Sequence, residues 1–534
     1  MSLEELIDAQ LPNHRRPQGL QFTYGTAGFR MHADKLDYVN YTVGILASLR
    51  SKFLHGQAVG VMITASHNPP QDNGVKVVDP RGSMLESQWE QYATNLANST
   101  AEELAANVKK LCSELKIDLG VTSHVVIARD SRESSERLNK ATIDGFESVP
   151  NTQFEDFGLL TTPQLHSITR TFNDSKFGVP DEEAYYRKLA AAFKEIFQAS
   201  GSKNKLDITI DAANGVGAPK ISELFSKYLA DEIDAKVVNG DYENPSLLNF
   251  ECGADFVKTN QKLPKNVQPV AEQLYASFDG DADRLICYYQ TLQGQFVLLD
   301  GDKIATLIAL FLQQLFKKID ASKLSLNIGI VQTAYANGSS TEYVEKVLQL
   351  PVRCTPTGVK HLHHEAEKFD IGVYFEANGH GTVVFSSEAE QKILTYEGEG
   401  EEEEKQAVAV LKSFSLLINQ TVGDAISDLL VVLAILPYLQ LSPAEWNHAY
   451  TDLPNKLTKV IVPDRTIFQT TNAERTLVKP EGLQAKIDKL VAQYPKGRSF
   501  VRASGTEDAV RVYAEADTRE NVGALNAAVS ELVK

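Results

Sequence analysis

The chain has 534 residues, which by the usual length of a domain is enough for roughly three to four domains. It carries 53 Lys and Arg residues against 70 Asp and Glu residues, and its net charge of −17 opposes sequence-independent attraction to nucleic acid or to an anionic membrane. We therefore expect neither nucleic acid nor a membrane as a partner, and any anionic ligand needs a local cationic site.

The cysteines show neither CxxC spacing nor accompanying histidine ligands (Cys112, Cys252, Cys287 and Cys354). This pattern is typical of reduced thiols in the cytosol, and we expect all of them to be packing residues. The N-terminal segment has early acidic residues and no apolar signal region, and the longest apolar runs, 304–316 and 429–438, are too short to span a membrane. The sequence therefore predicts a cytoplasmic protein.

Along most of the chain, short β-branched runs alternate with amphipathic helical stretches. The predicted strands are 60–63, 125–128, 206–210, 275–278, 328–332 and 372–375. This alternation predicts an α/β fold with largely parallel sheets. Several of these strands run directly into loops that contain Gly, Asn or Asp, and ligands of open α/β sheets bind at that end of the strands.

The C-terminal part has a different pattern. Two alternating runs, 457–462 and 510–516, lie on either side of a helical stretch at 481–492. This order predicts a small α+β domain. We expect the linker to this domain in the segment 437–454, which contains prolines at both ends.

A candidate hydroxyl nucleophile, Ser66, follows the first predicted strand in the segment 64–70 (TASHNPP). His67 is its neighbour, but catalytic triads are recognised by geometry and not by adjacency, and no GxSxG elbow surrounds this serine. The pattern therefore gives little support to a serine hydrolase. An ordinary turn serine is the alternative that the residues alone leave open.

The segment 279–284 (DGDADR) places three carboxylates on one tight loop. A calcium-binding EF-hand loop is excluded, because its sixth and twelfth positions would be Arg284 and Gln290 instead of Gly and Glu. Three carboxylates leave places in an octahedral shell for water or phosphate oxygen, so we expect Mg²⁺ here. A plain Asx-rich turn is the alternative, but it would hold three repelling charges without a cation.

Near the C-terminus, the segment 502–507 (RASGTE) combines hydroxyls, a glycine and an arginine, and a second arginine follows. These groups are the donors that a phosphate dianion requires. We predict a phosphate cradle flanked by two cations: Ser504, Gly505, Thr506, Arg502 and Arg511. A plain β-turn would also explain the Ser-Gly-Thr sequence.

Together these segments resemble the α-D-phosphohexomutases, and the similarity extends over nearly the whole chain. Four motifs occur in the order of that family: 24–30 (YGTAGFR), 64–69 (TASHNP), 279–284 (DGDADR) and 502–507 (RASGTE). They are similar to the family's N-terminal, phosphoserine, metal-binding and phosphate-binding loops.

Two departures from the general family pattern occur. The segment 376–380 (EANGH) resembles the family's sugar-binding loop, except that Asn378 stands where the family usually has Ser. The segment 126–135 (VIARDSRESS) is similar to a motif that normally precedes the phosphoserine loop, yet here it follows Ser66. Both departures resemble a eukaryotic subgroup of the family that acts on N-acetylglucosamine phosphate, in which the first domain is rearranged.

The resemblance implies a four-domain phosphohexomutase architecture of the α/β class around a central cleft. Three related α/β domains with mixed sheets are followed by a smaller α+β domain. The domains implied are 1–178 with the phosphoserine loop, 179–297 with the metal-binding loop, 298–438 with the sugar-binding loop and 450–534 with the phosphate-binding loop.

The resemblance also implies an activity, an intramolecular transfer of phosphate between positions 6 and 1 of N-acetylglucosamine in UDP-N-acetylglucosamine biosynthesis. The reaction would pass through a phosphoserine enzyme and a 1,6-bisphosphorylated sugar, which is both intermediate and activator. Mutases of the phosphoglucomutase or phosphomannomutase type and a magnesium-dependent sugar phosphatase are the alternatives that we keep. A sugar-phosphate-binding protein without catalysis is a further one.

Residue roles follow from the same resemblance. One Mg²⁺ per chain would be held by Ser66, Asp279, Asp281 and Asp283. The catalytic residues implied are Ser66, His67, Lys76 and Arg30, and Lys76 is the first candidate for the general base. The sugar-phosphate substrate would be bound by Arg284, Glu376, Asn378, Gly379, His380, Arg502, Ser504, Gly505, Thr506, Glu507 and Arg511.

Overall fold

A computed structural model of the protein describes residues 2–504 and 508–534. Three residues of the predicted phosphate-binding loop, Gly505, Thr506 and Glu507, lie outside the described residues. The chain forms two compact units, one of Met1–Leu298 with Ser413–Tyr438 and one of Leu299–Lys412 with Leu439–Lys534. The segment 413–438 therefore packs in the first unit, although it lies within the third predicted domain. The four predicted domain boundaries stay predictions.

The strands are β1 (Phe29–His32), β2 (Ala58–Ile63), β3 (Asp72–Val78), β4 (Ser123–Arg129), β5 (Thr152–Leu159), β6 (Leu206–Asp211), β7 (Ile233–Val238), β8 (Tyr275–Phe278), β9 (Leu285–Gln290), β10 (Phe296–Leu299), β11 (Ile328–Thr333), β12 (Val352–Thr355), β13 (Ile371–Phe375), β14 (Gly381–Phe385), β15 (Asn455–Ile461), β16 (Gln469–Thr471), β17 (Thr476–Lys479), β18 (Arg498–Ala503) and β19 (Ala509–Glu515).

The helices are α1 (Leu3–Gln10), α2 (Asp37–Phe53), α3 (Ser87–Asn98), α4 (Ala101–Glu114), α5 (Ser135–Glu147), α6 (Thr162–Asn173), α7 (Glu182–Ala199), α8 (Gly217–Tyr228), α9 (Ala254–Asn260), α10 (Gly301–Phe316), α11 (Gly338–Glu342), α12 (Val359–Ala366), α13 (Ser387–Thr395), α14 (Glu402–Leu417), α15 (Ala425–Tyr438), α16 (Pro443–Asn447), α17 (Leu483–Val491) and α18 (Arg519–Leu532). In the described part of the chain, no helix combines the length and the apolar character that a membrane crossing requires.

The first unit contains two mixed five-stranded sheets, with strand orders β1-β3-β2-β4-β5 and β10-β9-β8-β6-β7. In the first sheet β2, β4 and β5 are parallel, whereas β1 and β3 run antiparallel to their neighbours. In the second sheet β7, β6 and β8 are parallel and β9 is antiparallel. The mixed sheets agree with the fold class implied by the resemblance.

The second unit contains a four-stranded sheet, β12-β11-β13-β14, in which only β14 is antiparallel to its neighbour. A three-stranded antiparallel sheet, β15-β19-β18, follows near the C-terminus, together with the ribbon β16-β17. Helices α17 and α18 contact this sheet and contribute to its apolar core. This part is the small α+β domain that the alternating runs predict.

Strand β2, which leads directly to Ser66, is buried on both faces. All residues of β2 (AVGVMI) are buried, and α2 and α6 both pack against this strand. A continuous apolar run is typical of a strand that is buried on both faces. Gly60 lets α6 approach closely, because a Cβ atom at this position would lie 2.4 Å from Thr169 Oγ1.

The predicted strands are confirmed, since each lies within or overlaps one of β2, β4, β6, β8, β11 and β13. The prediction of a linker over 437–454 is wrong in part. Helix α15 continues to Tyr438, and α16 begins at Pro443 inside the segment, with Ser442 as its N-cap. Proline at the first helical position favours a helix start, so a proline in this segment begins a helix instead of breaking one.

The cysteines are free thiols, and all four lie in the described part of the chain. Cys112, Cys252 and Cys287 are buried, as expected of packing residues, whereas Cys354 is partly exposed.

Candidate active site

The candidate nucleophile lies in a strained turn directly after β2. Ser66 has a φ of +52°, in the left-handed region that residues other than glycine seldom adopt, and it is 1 % exposed. Its Oγ donates a hydrogen bond to Asp279 Oδ2 at 2.6 Å and lies 3.4 Å from His67 Nδ1. The loops of two predicted domains, 213 residues apart in the chain, therefore meet at this hydroxyl.

Arg132, which follows β4, holds the turn in place. Its Nη2 donates to the carbonyl oxygens of Ser66 and Asn68 at 2.8 and 2.9 Å, and its Nη1 donates to those of Pro69 and Asp72 at 2.6 and 2.9 Å. Its Nε donates to Asp130 Oδ2 at 3.0 Å. This guanidinium is 2 % exposed, so it fixes four carbonyl groups of the serine loop from inside the protein.

The acidic loop packs directly against the serine loop. A Cβ atom at Gly280 would lie 2.6 Å from the carbonyl oxygen of Ser66, so only glycine fits at this position. Asn249 supports the same carbonyl, because its Nδ2 donates to the Ser66 oxygen at 3.0 Å. The close approach explains why the carboxylates of this loop reach the serine hydroxyl.

The three predicted metal ligands converge. Each of Asp279, Asp281 and Asp283 offers a carboxylate oxygen within 4.8 Å of the other two, and all three residues are buried. Thr162 Oγ1 donates to Asp281 Oδ2 at 2.6 Å. The other oxygen of Asp281 is buried and accepts no hydrogen bond from the described residues.

Burial and the neighbouring charges of Asp283 and Asp281 raise the pKa of Asp279 well above its ordinary value. Three buried carboxylates at this separation repel one another, and a divalent cation would compensate that repulsion. Hard oxygen ligands are those that Mg²⁺ prefers, so the residues present fit this ion.

Cationic side chains surround the carboxylates. Lys76 lies on β3, and its Nζ is 4.0 Å from Asp281 Oδ2. Arg284 Nη1 donates to Asp255 Oδ1 at 2.7 Å, and its Nε lies 4.0 Å from Asp279 Oδ2. These contacts place two of the predicted site cations next to the acidic loop.

The remaining two predicted catalytic residues, Arg30 and His67, are half-buried. Burial lowers the pKa of Arg30 on β1, and the charges of Asp281 and Asp283 act in the opposite direction, so the guanidinium stays charged beside the acidic loop. Burial, followed by the charge of Arg284, lowers the pKa of His67 to about 4. His67 is therefore a neutral imidazole at neutral pH.

In the second unit, the predicted sugar-binding loop connects β13 and β14. The Glu376 amide donates to the His380 carbonyl at 2.9 Å, and the His380 amide donates to Asn378 Oδ1 at 3.0 Å. Gly379 has a φ of +90°, which closes the turn. A Cβ atom at Gly301 would lie 1.9 Å from the Glu376 carbonyl oxygen, so the loop lies directly against the start of α10.

The two arginines predicted to bind phosphate are cross-strand neighbours, Arg502 on β18 and Arg511 on β19. Arg502 Nε donates to Glu474 Oε1 at 2.8 Å, and Glu474 Oε2 accepts from the Thr357 hydroxyl at 2.6 Å. Two like charges directly opposite each other repel, and a bound anion would relieve this repulsion. The Ser504 amide donates to the Ala509 carbonyl at 2.8 Å.

Comparison with known proteins shows what this chain is similar to. A Candida albicans protein named phosphoacetylglucosamine mutase is 70% identical over 100% of both chains, and a Saccharomyces cerevisiae protein of the same name is 52% identical over 97% of both chains. The chain belongs to the phosphoacetylglucosamine mutase family.

Models of this family and of its wider superfamily match consecutive parts of the chain. Phosphoglucomutase/phosphomannomutase alpha/beta/alpha domain I matches residues 45–104 and 93–180, and the C-terminal domain of the same proteins matches 457–532. Between them, phosphoacetylglucosamine mutase AMG1 domain II matches 176–286 and domain III matches 300–441.

Two solved structures support the same conclusion. A crystal structure of N-acetylglucosamine-phosphate mutase, a member of the alpha-D-phosphohexomutase superfamily, in the substrate complex has a TM-score of 0.98, 70% identity and full coverage of both chains. The Aspergillus fumigatus N-acetylphosphoglucosamine mutase in complex with GlcNAc-6P and magnesium has a TM-score of 0.95 and 50% identity, over 100% of this chain and 99% of that one. The similarity confirms both the resemblance to the α-D-phosphohexomutases and the four-domain phosphohexomutase architecture.

In this member of the phosphoacetylglucosamine mutase family, the residues that hold the site together were not identified from the sequence. Arg132, Thr162 and Asn249 contact the serine loop or the acidic loop, but none was singled out as a site residue. The only signal was the ARDSR sequence around Arg132, which served as a family marker and not as a functional residue. Their contacts depend on which backbone carbonyls the fold turns inward, and spacing in the sequence does not report this.

Proposed function

We propose that this chain is a phosphomutase that interconverts N-acetylglucosamine 6-phosphate and N-acetylglucosamine 1-phosphate. The observation that carries the proposal is the buried Ser66 hydroxyl, hydrogen-bonded at 2.6 Å to Asp279 within a cluster of three carboxylates. The names of the relatives support the choice of sugar. The reaction would supply UDP-N-acetylglucosamine biosynthesis, and the cytoplasmic location stays a prediction.

The reaction consists of two phosphoryl transfers. In the first, the bond from phosphorus to Ser66 Oγ breaks, a bond to O1 of the sugar 6-phosphate forms, and the O1 hydroxyl loses its proton. The 1,6-bisphosphorylated sugar then reorients, the bond from phosphorus to O6 breaks and a bond to Ser66 Oγ forms. In this step Ser66 Oγ loses its proton and O6 gains one, which leaves the 1-phosphate. Because phosphoryl transfer needs little covalent chemistry from a protein, alignment and charge stabilisation by the loops contribute most of the catalysis.

Asp279, Asp281 and Asp283 would hold one Mg²⁺ together with an oxygen on Ser66. When bound, the ion neutralises the charge of the transferring phosphoryl group. Asp279 also orients Ser66 through the hydrogen bond that the structure shows. Arg30, which is half-buried, adds a positive charge beside the carboxylates.

We assign the general base to Lys76, whose Nζ lies 4.0 Å from Asp281 Oδ2. In this role it takes the proton of the attacking sugar hydroxyl and returns a proton to Ser66 Oγ when the serine is the leaving group. His67, neutral and 3.4 Å from the same oxygen, is a second polar contact for the serine.

Substrate binding is assigned to the residues of the second unit together with Arg284. Arg502, Arg511 and Ser504 would hold the phosphate that does not react, together with Gly505, Thr506 and Glu507, which lie outside the described residues. Glu376, Asn378, Gly379 and His380 would contact the sugar hydroxyls.

The test is the Ser66→Ala variant in a coupled assay that follows both mutase turnover and the release of inorganic phosphate. We expect turnover to be lost while binding of N-acetylglucosamine 6-phosphate, measured by calorimetry, persists. Ser113→Ala, on the exposed face of α4, is the matched control and should keep full turnover. Retained turnover in Ser66→Ala would refute the phosphoserine assignment, and phosphate release by the unmodified protein without isomerisation would indicate a phosphatase.

A further inference from the structure

A cavity of about 280 Å³ lies in the second unit. Its walls come from the end of β11 and the residues after it, from α11 and the turn that follows it, from β12, from the turn before β17 and from the start of β18. Among the described residues, the predicted sugar-binding and phosphate-binding positions do not line it. The cavity therefore differs in composition from the site described above.

Arginine is the most frequent charged residue of the lining. Arg353, Arg475 and Arg498 line the cavity, and Glu345 is the acidic residue among its described lining residues. Arg498 is fixed by Glu515, to which its Nε and Nη2 donate at 2.9 Å. Its Nη1 and Nη2 also donate to the carbonyls of two residues after β11, so this side chain forms a rigid wall.

The other two guanidinium groups differ from Arg498. Arg475 donates only to neutral oxygens, the carbonyl and the side chain of Asn472, at 3.1 and 2.8 Å. Arg353 is exposed, and in the residues that the structure describes neither Arg353 nor Arg475 forms an ion pair with a carboxylate. Two guanidinium groups that form no ion pair among the described residues therefore face one small cavity from β12 and from the segment before β17.

The neutral polar residues of the cavity already have partners. Gln332 Nε2 donates to Ser340 at 3.0 Å, and Thr341 donates to Gln332 Oε1 at 2.8 Å. The arginines are consequently the groups that a ligand would contact. Guanidinium groups match phosphate and carboxylate oxygens with paired hydrogen bonds.

We propose that this cavity binds a small multivalent oxyanion, bearing phosphate or carboxylate groups, through Arg353 and Arg475. Its volume is near the lower limit of small-molecule pockets, so the ligand is compact. Because Arg353 belongs to the four-stranded sheet and Arg475 to the C-terminal part of the chain, the bound anion would form an ionic bridge between them. The site does not depend on the proposed mutase activity.

The experiment is isothermal titration calorimetry of the full chain with pyrophosphate and, separately, with citrate, in the absence of Mg²⁺. Titrations use an Arg502→Gln background, which weakens anion binding at the predicted phosphate cradle. We expect Arg353→Gln and Arg475→Gln each to weaken binding by about tenfold or more, as the loss of a charge-assisted contact requires. Arg519→Gln, an exposed arginine outside the cavity, is the matched control and should bind as the background does.

Arg353 and Arg475 are both exposed, so their substitution should leave the fold intact, and a thermal melt of each variant checks this. Arg353→Lys keeps the charge without the paired geometry and should weaken binding less than Arg353→Gln. Weakening for pyrophosphate alone would identify a phosphate ligand, and weakening for citrate as well would extend the site to carboxylates. Equal affinities in the background, both cavity variants and the control would overturn the proposal.

Discussion

Replacing Arg132 by lysine tests whether the serine loop must be held from inside the protein. The guanidinium makes five side-chain hydrogen bonds, four to loop carbonyls and one to Asp130. A lysine keeps the charge but has only three N–H donors on one nitrogen, so at least two of these bonds are lost. At about 1.5–3 kcal/mol for each lost hydrogen bond from a charged donor, the free energy of unfolding should fall by about 3–6 kcal/mol.

The effect on turnover should exceed what lower stability alone would cause. A shift of about 1 Å in a reacting group can cost about a hundredfold in rate, so we expect kcat of Arg132→Lys to fall by about that factor. KM should change little, because the residues assigned to substrate binding other than Arg284 belong to the second unit. Steady-state kinetics well below the melting temperature, with phosphorylation of Ser66 followed by mass spectrometry, separates these effects.

Arg50→Lys is the matched control for Arg132→Lys. Arg50 is 4 % exposed and donates to both oxygens of Asp79 at 2.9 and 2.8 Å, but its described contacts do not include the serine loop. It should lose a similar amount of stability and keep its kcat. Wild-type kcat in Arg132→Lys, or an equal loss of kcat in both variants, would refute the positioning role.

Three further substitutions test other parts of the site. Mg²⁺ at about 100 times its dissociation constant should stabilise the unmodified protein by about 2.7 kcal/mol, measured as a rise in melting temperature. The melting temperature of Asp281→Asn should not change, and an equal rise in both proteins would argue against the metal site. Lys76→Arg should lose about 10²–10⁴ in kcat, because an arginine stays protonated and cannot accept the proton of the sugar hydroxyl, and wild-type turnover in this variant would exclude the base assignment. Asn378→Ser should lower the preference for N-acetylglucosamine 6-phosphate over glucose 6-phosphate by about tenfold in kcat/KM, and an unchanged ratio would remove Asn378 from substrate selection.

Local patterns were sufficient to predict much of the fold. The uninterrupted apolar run of β2 and the alternating runs of β15 and β19 identify strands, because burial on two faces or on one leaves different periodicities. Prolines were less informative, since Pro443 starts α16 inside a predicted linker. The packing of residues 413–438 with the first unit depends on contacts between distant segments, which no local pattern contains.

The candidate site could be predicted at the level of its motifs. Ser66 and the acidic loop were expected to act together, and the hydrogen bond from Ser66 to Asp279 places them in contact. The role of Arg132 could not be predicted, because it depends on four backbone carbonyls that converge only after β2, β3 and β4 pair. Almost every residue has the same backbone groups, so the sequence does not show which of them a side chain will bind. Residues that bind backbone groups are therefore the hardest to recognise.

The most direct test of the account follows the phosphoryl group itself. The protein is incubated with N-acetylglucosamine phosphate that carries radiolabelled phosphate at position 6, and peptides are then analysed for label. We predict that label appears on Ser66 and on N-acetylglucosamine 1-phosphate, and that free inorganic phosphate stays unlabelled. Isomerisation without label on Ser66, or label that accumulates only in inorganic phosphate, would contradict the mutase mechanism.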